Sequence, residues 1–294
     1  MSTIKKIAFI GATGMIGKPV ALALHRAGYE ITVLARDSTK ARTIFPEDIH
    51  IQQGDIKHIA DLQKLFKGQD AIYINLNLNL NDGAGAWHSE REGLDNILAA
   101  AKEFSIKRIA MTSSVVKNYQ GMNGFKWWVF DLKQQAIEKI KASGIPYTIF
   151  YPSTFMENFI STYRRGNKIL LAGTSHHKMY FIAGSDFGKQ VGRALELPET
   201  ENKEYIIQGP EGFTADEAAE VFIKHAPDTT LKISRAPLGL LKFIGMFSNS
   251  VNYGHKIIYA LNNYPEKFES TETWNLLGKP TVTLTDYAKS GGSI

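Results

Sequence analysis

The chain of 294 residues, 44% hydrophobic and 21% charged, can bury the core of one large α/β domain or of two smaller ones. Its net charge of +5 comes from scattered lysines and arginines, which suits phosphorylated small molecules or diffuse nucleic-acid affinity, with nucleic acid the less favoured ligand. Cysteine is absent, which excludes disulfides, thiolate catalysis and cysteine-ligated metal; no apolar run approaches the roughly eighteen residues of a membrane span.

Met-Ser-Thr-Ile-Lys-Lys leads directly into the first apolar run and leaves no room for a cleavable signal, so a cytoplasmic location is expected, with no membrane as partner. That run, Ile4 to Ile10, suits a strand entering a buried sheet. It passes into Gly11-Ala-Thr-Gly14-Met-Ile-Gly17 and then into the helical pattern Met15, Ile16, Val20, Leu22, Ala23, Leu24. Strand, glycine-rich turn and helix form the context of a dinucleotide-binding fingerprint. Gly11 permits the sharp turn off the strand, Gly14 lets backbone N–H groups reach a pyrophosphate, and Gly17 lets the helix sit close on the sheet. Thr13, Met15 and Ile16 belong to the same candidate cradle, where the helix N-terminus offers free donors and a positive dipole end. The spacing G-x-x-G-x-x-G resembles that of the short-chain dehydrogenase/reductase superfamily, in its extended and atypical branches.

Gly28 is a plausible helix stop, and Ile31 to Ala35 makes a second buried strand that ends at Arg36. After this strand an acidic residue accepts the 2′-hydroxyl of NAD, whereas an arginine accommodates a 2′-phosphate. Arg36, with Lys40 and Arg42 nearby, predicts NADP(H); Asp37 keeps NAD(H) as the second choice. A third strand over His50 to Gln53 precedes Gly54-Asp55-Ile56. The superfamily resemblance implies an adenine contact for Asp55, with Ile56 beside it, and capping of a helix over residues 58–67 is the structural alternative. The fourth strand, Ala71 to Asn75, enters the repeat Asn75-Leu-Asn-Leu-Asn-Leu-Asn81. Asparagine is poor strand material, and carboxyl ends of parallel strands are where ligands bind, so a loop over the nicotinamide side is predicted, beginning at Asn75.

Residues 84–104 read as a helix and Ile106 to Met111 as a fifth strand ending in Thr112-Ser113-Ser114. The stretch from Glu92-Gly93 to Ser114 resembles the fourth helix and fifth strand of extended and atypical short-chain reductases, and that from Lys133 through Pro152 to Ser153-Thr-Phe155-Met156-Glu157-Asn158 resembles the NmrA-like and isoflavone-reductase-like atypical group. The resemblance implies that a hydroxyl at the end of the fifth strand, Ser114, orients a substrate carbonyl and that Lys133 lies beside the nicotinamide ribose. Two positions depart from the pattern. Val129 replaces the tyrosine that most of the superfamily carries four residues before the lysine, and Tyr151 stands where many relatives carry arginine. An ammonium at Lys133 can donate to both ribose hydroxyls and, with its pKa lowered by burial and a cationic neighbour, exchange protons with substrate. The alternative is an exposed helix lysine like Lys139 and Lys141. Tyr119 reads as packing or solvated, and Trp127 and Trp128 as a substrate roof or a core anchor.

Beyond residue 150 the pattern changes. Ile145 to Tyr151 is a sixth strand, Phe155 to Tyr163 a short helix, and residues 167–183 two short strands around a loop holding His176 and His177. Adjacent imidazoles seldom face one ion, so no metal site is expected there. Phe181 to Leu195 reads as a capped amphipathic helix, Glu204 to Gln208 as a strand, and Thr214 with Glu217 as a capping box. A short strand at Leu231 to Ser234 and two apolar helices follow, whose character suggests an aromatic or otherwise apolar substrate, core, or a dimer surface.

The expected architecture is α/β: a doubly wound parallel Rossmann sheet with a smaller C-terminal α+β substrate lobe. Residues 1–152 would form the NAD(P)-binding domain, and 153–294 mainly the lobe, with some segments returning to the core. The implied activity is an NADP(H)-dependent oxidoreductase passing hydride to a small apolar carbonyl, quinone or enone, as monomer or homodimer. The alternatives are a non-catalytic NADP(H) sensor acting through a protein partner and a sugar-nucleotide epimerase or dehydratase.

Overall fold

Seven parallel strands form the spine of the molecule. In the computed structural model, which describes residues 4–198 and 201–293, β1 (Lys6–Ile10), β2 (Glu30–Ala35), β3 (His50–Gln53), β4 (Ala71–Ile74), β5 (Arg108–Thr112) and β6 (Tyr147–Pro152) follow in chain order. β7 (Arg164–Arg165), β8 (Lys168–Ala172) and β9 (Met179–Tyr180) lie outside that sheet; β10 (Lys203–Ile207) returns to it, and β11 (Gly212–Phe213) and β12 (Lys232–Ala236) lie outside again. The order β3-β2-β1-β4-β5-β6-β10 is that of a doubly wound dinucleotide-binding sheet, reversing between β1 and β4.

Alternation along the strands assigns the helices to two faces. Ile7 and Phe9 of β1 face α1 (Gly17–Arg26), whereas Ala8 and Ile10 face the opposite core. After the short α2 (Ser38–Arg42), that opposite core is covered by α3 (Ile59–Phe66), α4 (Leu94–Ala101) and α5 (Trp128–Lys141). α6 (Gly184–Glu196) joins α1 on the first face. The two meet with almost no side chain between them: a Cβ added at Gly184 would lie 2.6 Å from Pro19 Cγ, and one at Gly188 2.5 Å from Ala23 Cβ.

The remaining helices are α7 (Ala215–His225), α8 (Leu238–Gly245), α9 (Asn249–Asn263), α10 (Thr271–Leu277) and α11 (Leu284–Lys289). A third core gathers Phe159, Ile169, Phe181, Phe222, Leu284 and Tyr287 from the C-terminal half. The Thr214 capping box forms as the sequence predicts, with the Glu217 N–H donating to Thr214 Oγ1 at 3.2 Å and the Thr214 N–H to Glu217 Oε2 at 2.8 Å. β8 and β9 do not pair with each other; β8 lies between β12 and β7, and β9 pairs with β11.

Three predicted helices differ from those observed. The one expected over 84–104 begins only at Ser89, as a π turn (Ser89–Gly93) that widens where Gly93 receives the Ile56 side chain, and α4 ends at Ala101. The helix expected over Phe155 to Tyr163 is a single 3-10 turn, Met156–Phe159. α6 has no side-chain cap at Ala183; the buried Glu157 caps it from outside, accepting the Gly184 N–H on Oε1 at 2.7 Å.

Candidate functional site

Ile10 pairs with Leu34 of β2 and with Ile74 of β4, so the chain leaves three neighbouring strands at one level. Gly11, Arg36 and Asn75 therefore line one groove of about 570 Å³, with Thr13, Gly14, Asp55 and Ile56. Residues 75–79 run along it as a loop, not as a prolonged strand.

The glycine elbow is held by sterics. Gly11 has a φ of +87°, and a Cβ there would lie 2.0 Å from the Asn75 carbonyl oxygen, so only glycine fits. A Cβ at Gly17 would lie 2.0 Å from the Gly11 carbonyl oxygen. At this glycine the first residue of α1 sits directly on the backbone that leaves β1, an added Cβ also lying 2.9 Å from Ala12 Cα. Gly14 differs: the nearest atom to an added Cβ is Gly11 O at 3.4 Å, so the packing of the protein does not demand glycine there. The N–H groups of Thr13, Met15, Ile16 and Gly17 find no acceptor among the described residues. They leave free donors at the positive end of α1.

Other members of the predicted cradle are placed differently. The Met15 side chain turns away, its sulfur accepting the Ser161 hydroxyl at 2.8 Å. Ile16 is buried in the core beneath α1, and Lys40 stands exposed on α2, outside the groove lining. Arg36 is exposed at the groove. Beside it, the Asp37 carboxylate accepts the Lys40 N–H at 2.9 Å and so caps α2, while Arg42 is committed to the carbonyls of Pro46, Glu47 and Ile49. Asp55 does not cap α3, whose first turn follows His58; its carboxylate accepts the Lys57 N–H at 3.0 Å and stays in the groove wall.

A small hollow opens past the ends of β4 and β5, lined by Glu90, Thr112, Ser113 and Lys133 among others. Lys133 Nζ donates to Glu90 Oε1 at 2.8 Å, the two side chains being 18% and 8% exposed. Burial alone would lower the ammonium pKa, but the adjacent Glu90 carboxylate outweighs it and the net shift is upward. Lys133 is thus neither the acidified lysine that the sequence suggests nor an exposed one. Ser114 caps the 3-10 turn Val115–Tyr119, its Oγ accepting the Val116 N–H at 3.4 Å, whereas the Ser113 hydroxyl is buried in the hollow and has no hydrogen-bond partner among the described residues.

Sequence reasoning missed two residues here. Glu90 is one. The other is Tyr253 of α9, whose ring lies 5.0 Å from that of Trp127 and whose phenol is raised in pKa by burial, with Lys133 and Glu90 as the charges acting on it. Trp127 and Trp128 are anchors: Trp127 is buried against Phe130, and Trp128 packs on His88 at 4.8 Å. Tyr119 is buried among Phe125, Tyr259 and Tyr264. His176 and His177 sit in the loop between β8 and β9, and no group of three or more His, Asp or Glu side chains among the described residues could hold a metal ion.

A model of the NmrA-like family matches residues 3–276. The chain belongs to the NmrA-like family. This NmrA-like chain is 24% identical over 251 residues to a photosystem II assembly factor Ycf39 from Trieres chinensis, covering 84% of this chain and 77% of that protein. It is 24% identical over 217 residues to an NAD(P)H azoreductase from Xenophilus azovorans, covering 72% and 71%. Among solved structures, an NADPH-dependent quinone oxidoreductase from Escherichia coli complexed with NADPH superposes with a TM-score of 0.74 at 20% identity, over 97% of this chain and 99% of that one. That likeness is one of fold. Val129 is fully buried in this NmrA-like chain, and Tyr151 donates its hydroxyl to Glu204 at 2.5 Å.

Proposed function

We propose that this NmrA-like protein is an oxidoreductase that uses NADP(H) to reduce a small apolar carbonyl, quinone or enone. One observation carries the reading: at the end of β2 the exposed Arg36 lines the groove, while the neighbouring Asp37 carboxylate caps α2. A 2′-phosphate gains a charge-assisted partner there, and a bare 2′-hydroxyl loses its acceptor. The fit of a dinucleotide rests on the open approach at Gly14 and the free N–H groups of α1. The two relatives named as an azoreductase and a quinone oxidoreductase support the same class of chemistry.

In this reading the elbow from Gly11 to Gly17 holds the pyrophosphate, Asp55 and Ile56 flank the adenine, and Asn75 and Lys133 approach the nicotinamide ribose. Bound NADPH supplies a hydride at its nicotinamide ring. Lys133, kept charged by Glu90, holds ribose hydroxyls and adds positive potential; it does not carry the proton. Ser113 and Ser114 offer hydroxyls at the end of β5 to orient the acceptor oxygen. With Val129 at the position of a phenol, acceptors whose reduced form is a stabilised anion are favoured, because they demand least from an acid.

The test is NADPH oxidation by the purified protein against a panel of quinones, enones and azo dyes. Turnover with at least one acceptor is expected, with Lys133→Met lowering kcat/KM by roughly tenfold or more. Tight NADPH binding with no acceptor reduced would replace this reading with the sensor acting through a protein partner.

A further inference from the structure

α8 has no buried residue. It and the turn after it carry the most exposed large apolar side chains of the described residues: Phe247 at 81%, Met246 at 66%, Phe243 at 59% and Leu240 at 49%. The rings of Phe243 and Phe247 meet edge-on at 5.9 Å, so these residues form one patch. Apolar patches of this kind mark surfaces that are covered in use.

The stretch of chain that carries the patch has one sign of charge. From Thr229 to Pro265 the sequence contains no Asp or Glu, but it contains Lys232, Arg235, Lys242 and Lys256. Arg235 pairs with Asp216. Lys242 is exposed among the apolar residues, and no ion pair holds it among the described residues. Lys242 and Lys256 both bear on His255, whose pKa is lowered by burial and then by these two cations. A second copy of this chain seated on the patch would bring lysine towards lysine, so the face is not self-complementary. Exposed Phe, Leu and Met interleaved with lysine match a bilayer surface, where rings enter the acyl boundary and ammonium groups meet lipid phosphates.

The segment after the patch is tied to the loop whose first part runs along the groove. Asn249, at the start of α9, donates its side-chain amide to the Asn81 carbonyl at 2.9 Å, and Leu80, in the same loop, is 46% exposed. We propose that α8 and the turn after it dock the protein on an anionic lipid surface, as an interfacial contact and not a span. Resting on the reductase reading, this makes the acceptor a lipid-dissolved molecule that reaches the groove from the membrane side.

Docking is tested without cofactor or turnover, so it fails separately from the reductase reading. The full chain is sedimented with vesicles of phosphatidylcholine alone and of phosphatidylcholine mixed with phosphatidylglycerol, at low and at physiological salt. Pelleting with the mixed vesicles is expected, weakened by salt. Lys242→Ala should bind roughly fivefold more weakly, and the double variant Phe243→Ser with Phe247→Ser at least about tenfold more weakly. Both variants lie on the exposed face, and their circular dichroism should match the parent. Equal pelleting with neutral vesicles, no pelleting at all, or a solution dimer that the double variant dissociates would each overturn the proposal, the last in favour of a contact between copies.

Discussion

Lys133 and Glu90 form a largely buried ion pair, 2.8 Å from Nζ to Oε1, that ties α5 to the π turn ahead of α4. Removing one partner leaves the other charge stranded, and the second Glu90 oxygen is already buried with no hydrogen bond among the described residues. Lys133→Met or Glu90→Gln alone should destabilise the fold by about 3–5 kcal/mol, and the double variant should recover most of that loss. Urea denaturation of the four proteins measures the cycle; additive losses would mean that the pair is not coupled.

Cofactor choice should follow Arg36. Fluorescence titration is expected to show NADPH bound more tightly than NADH, with Arg36→Ala removing a preference of about tenfold to a hundredfold. Equal affinities in the parent protein would take the 2′-phosphate away from this guanidinium.

The elbow glycines separate folding from binding. Gly11→Ala sets a Cβ against the Asn75 carbonyl at a positive φ, and should cost about 3 kcal/mol or more. Gly14→Ala meets no such obstacle within the chain. It should melt near the parent yet bind NADPH at least about tenfold more weakly, because the methyl fills the approach to the helix N-terminus. An alanine at position 14 that leaves affinity intact would place the pyrophosphate elsewhere.

Stability should fall as pH rises towards neutrality. Burial lifts the Glu157 carboxyl from 4.5 to about 7, and burial does the same to Glu266. Between those values the folded state holds a proton that the unfolded state has released, so unfolding free energy declines with pH and levels off above about 7. Glu157→Gln should flatten that limb by up to about 3 kcal/mol. Denaturation midpoints at about pH 5 and about pH 8 test the sign, and a rise with pH would refute it.

The elbow, β2 with Arg36 and the Thr214 cap are legible in the sequence because their chemistry is local. The role of Asp37 follows from its neighbours too, since Asp-Ser-Thr-Lys opens a helix. Glu90 carries a weaker signal. It shares one helical stripe with Leu94, Ile97 and Ala101, all buried, and a carboxylate on such a stripe needs a buried cation. Ser113 and Ser114 cannot be separated by type; the register of β5 against β6, with the Ser113 N–H donating to Phe150 O at 2.8 Å, decides which of them enters the hollow. Tyr253 reaches Lys133 only through tertiary packing of α9, which no local pattern encodes.

The tight seam of Pro19 and Ala23 against Gly184 and Gly188 has a consequence for how the polypeptide can be divided. A truncated chain ending at Pro152 would lack both α6 and β10. It would present a bare ridge of α1 to water and leave β6 as a raw sheet edge open to other chains. The amino-terminal half is therefore expected to fail as an isolated module, since α6 and β10 cover the ridge of α1 and the edge of β6.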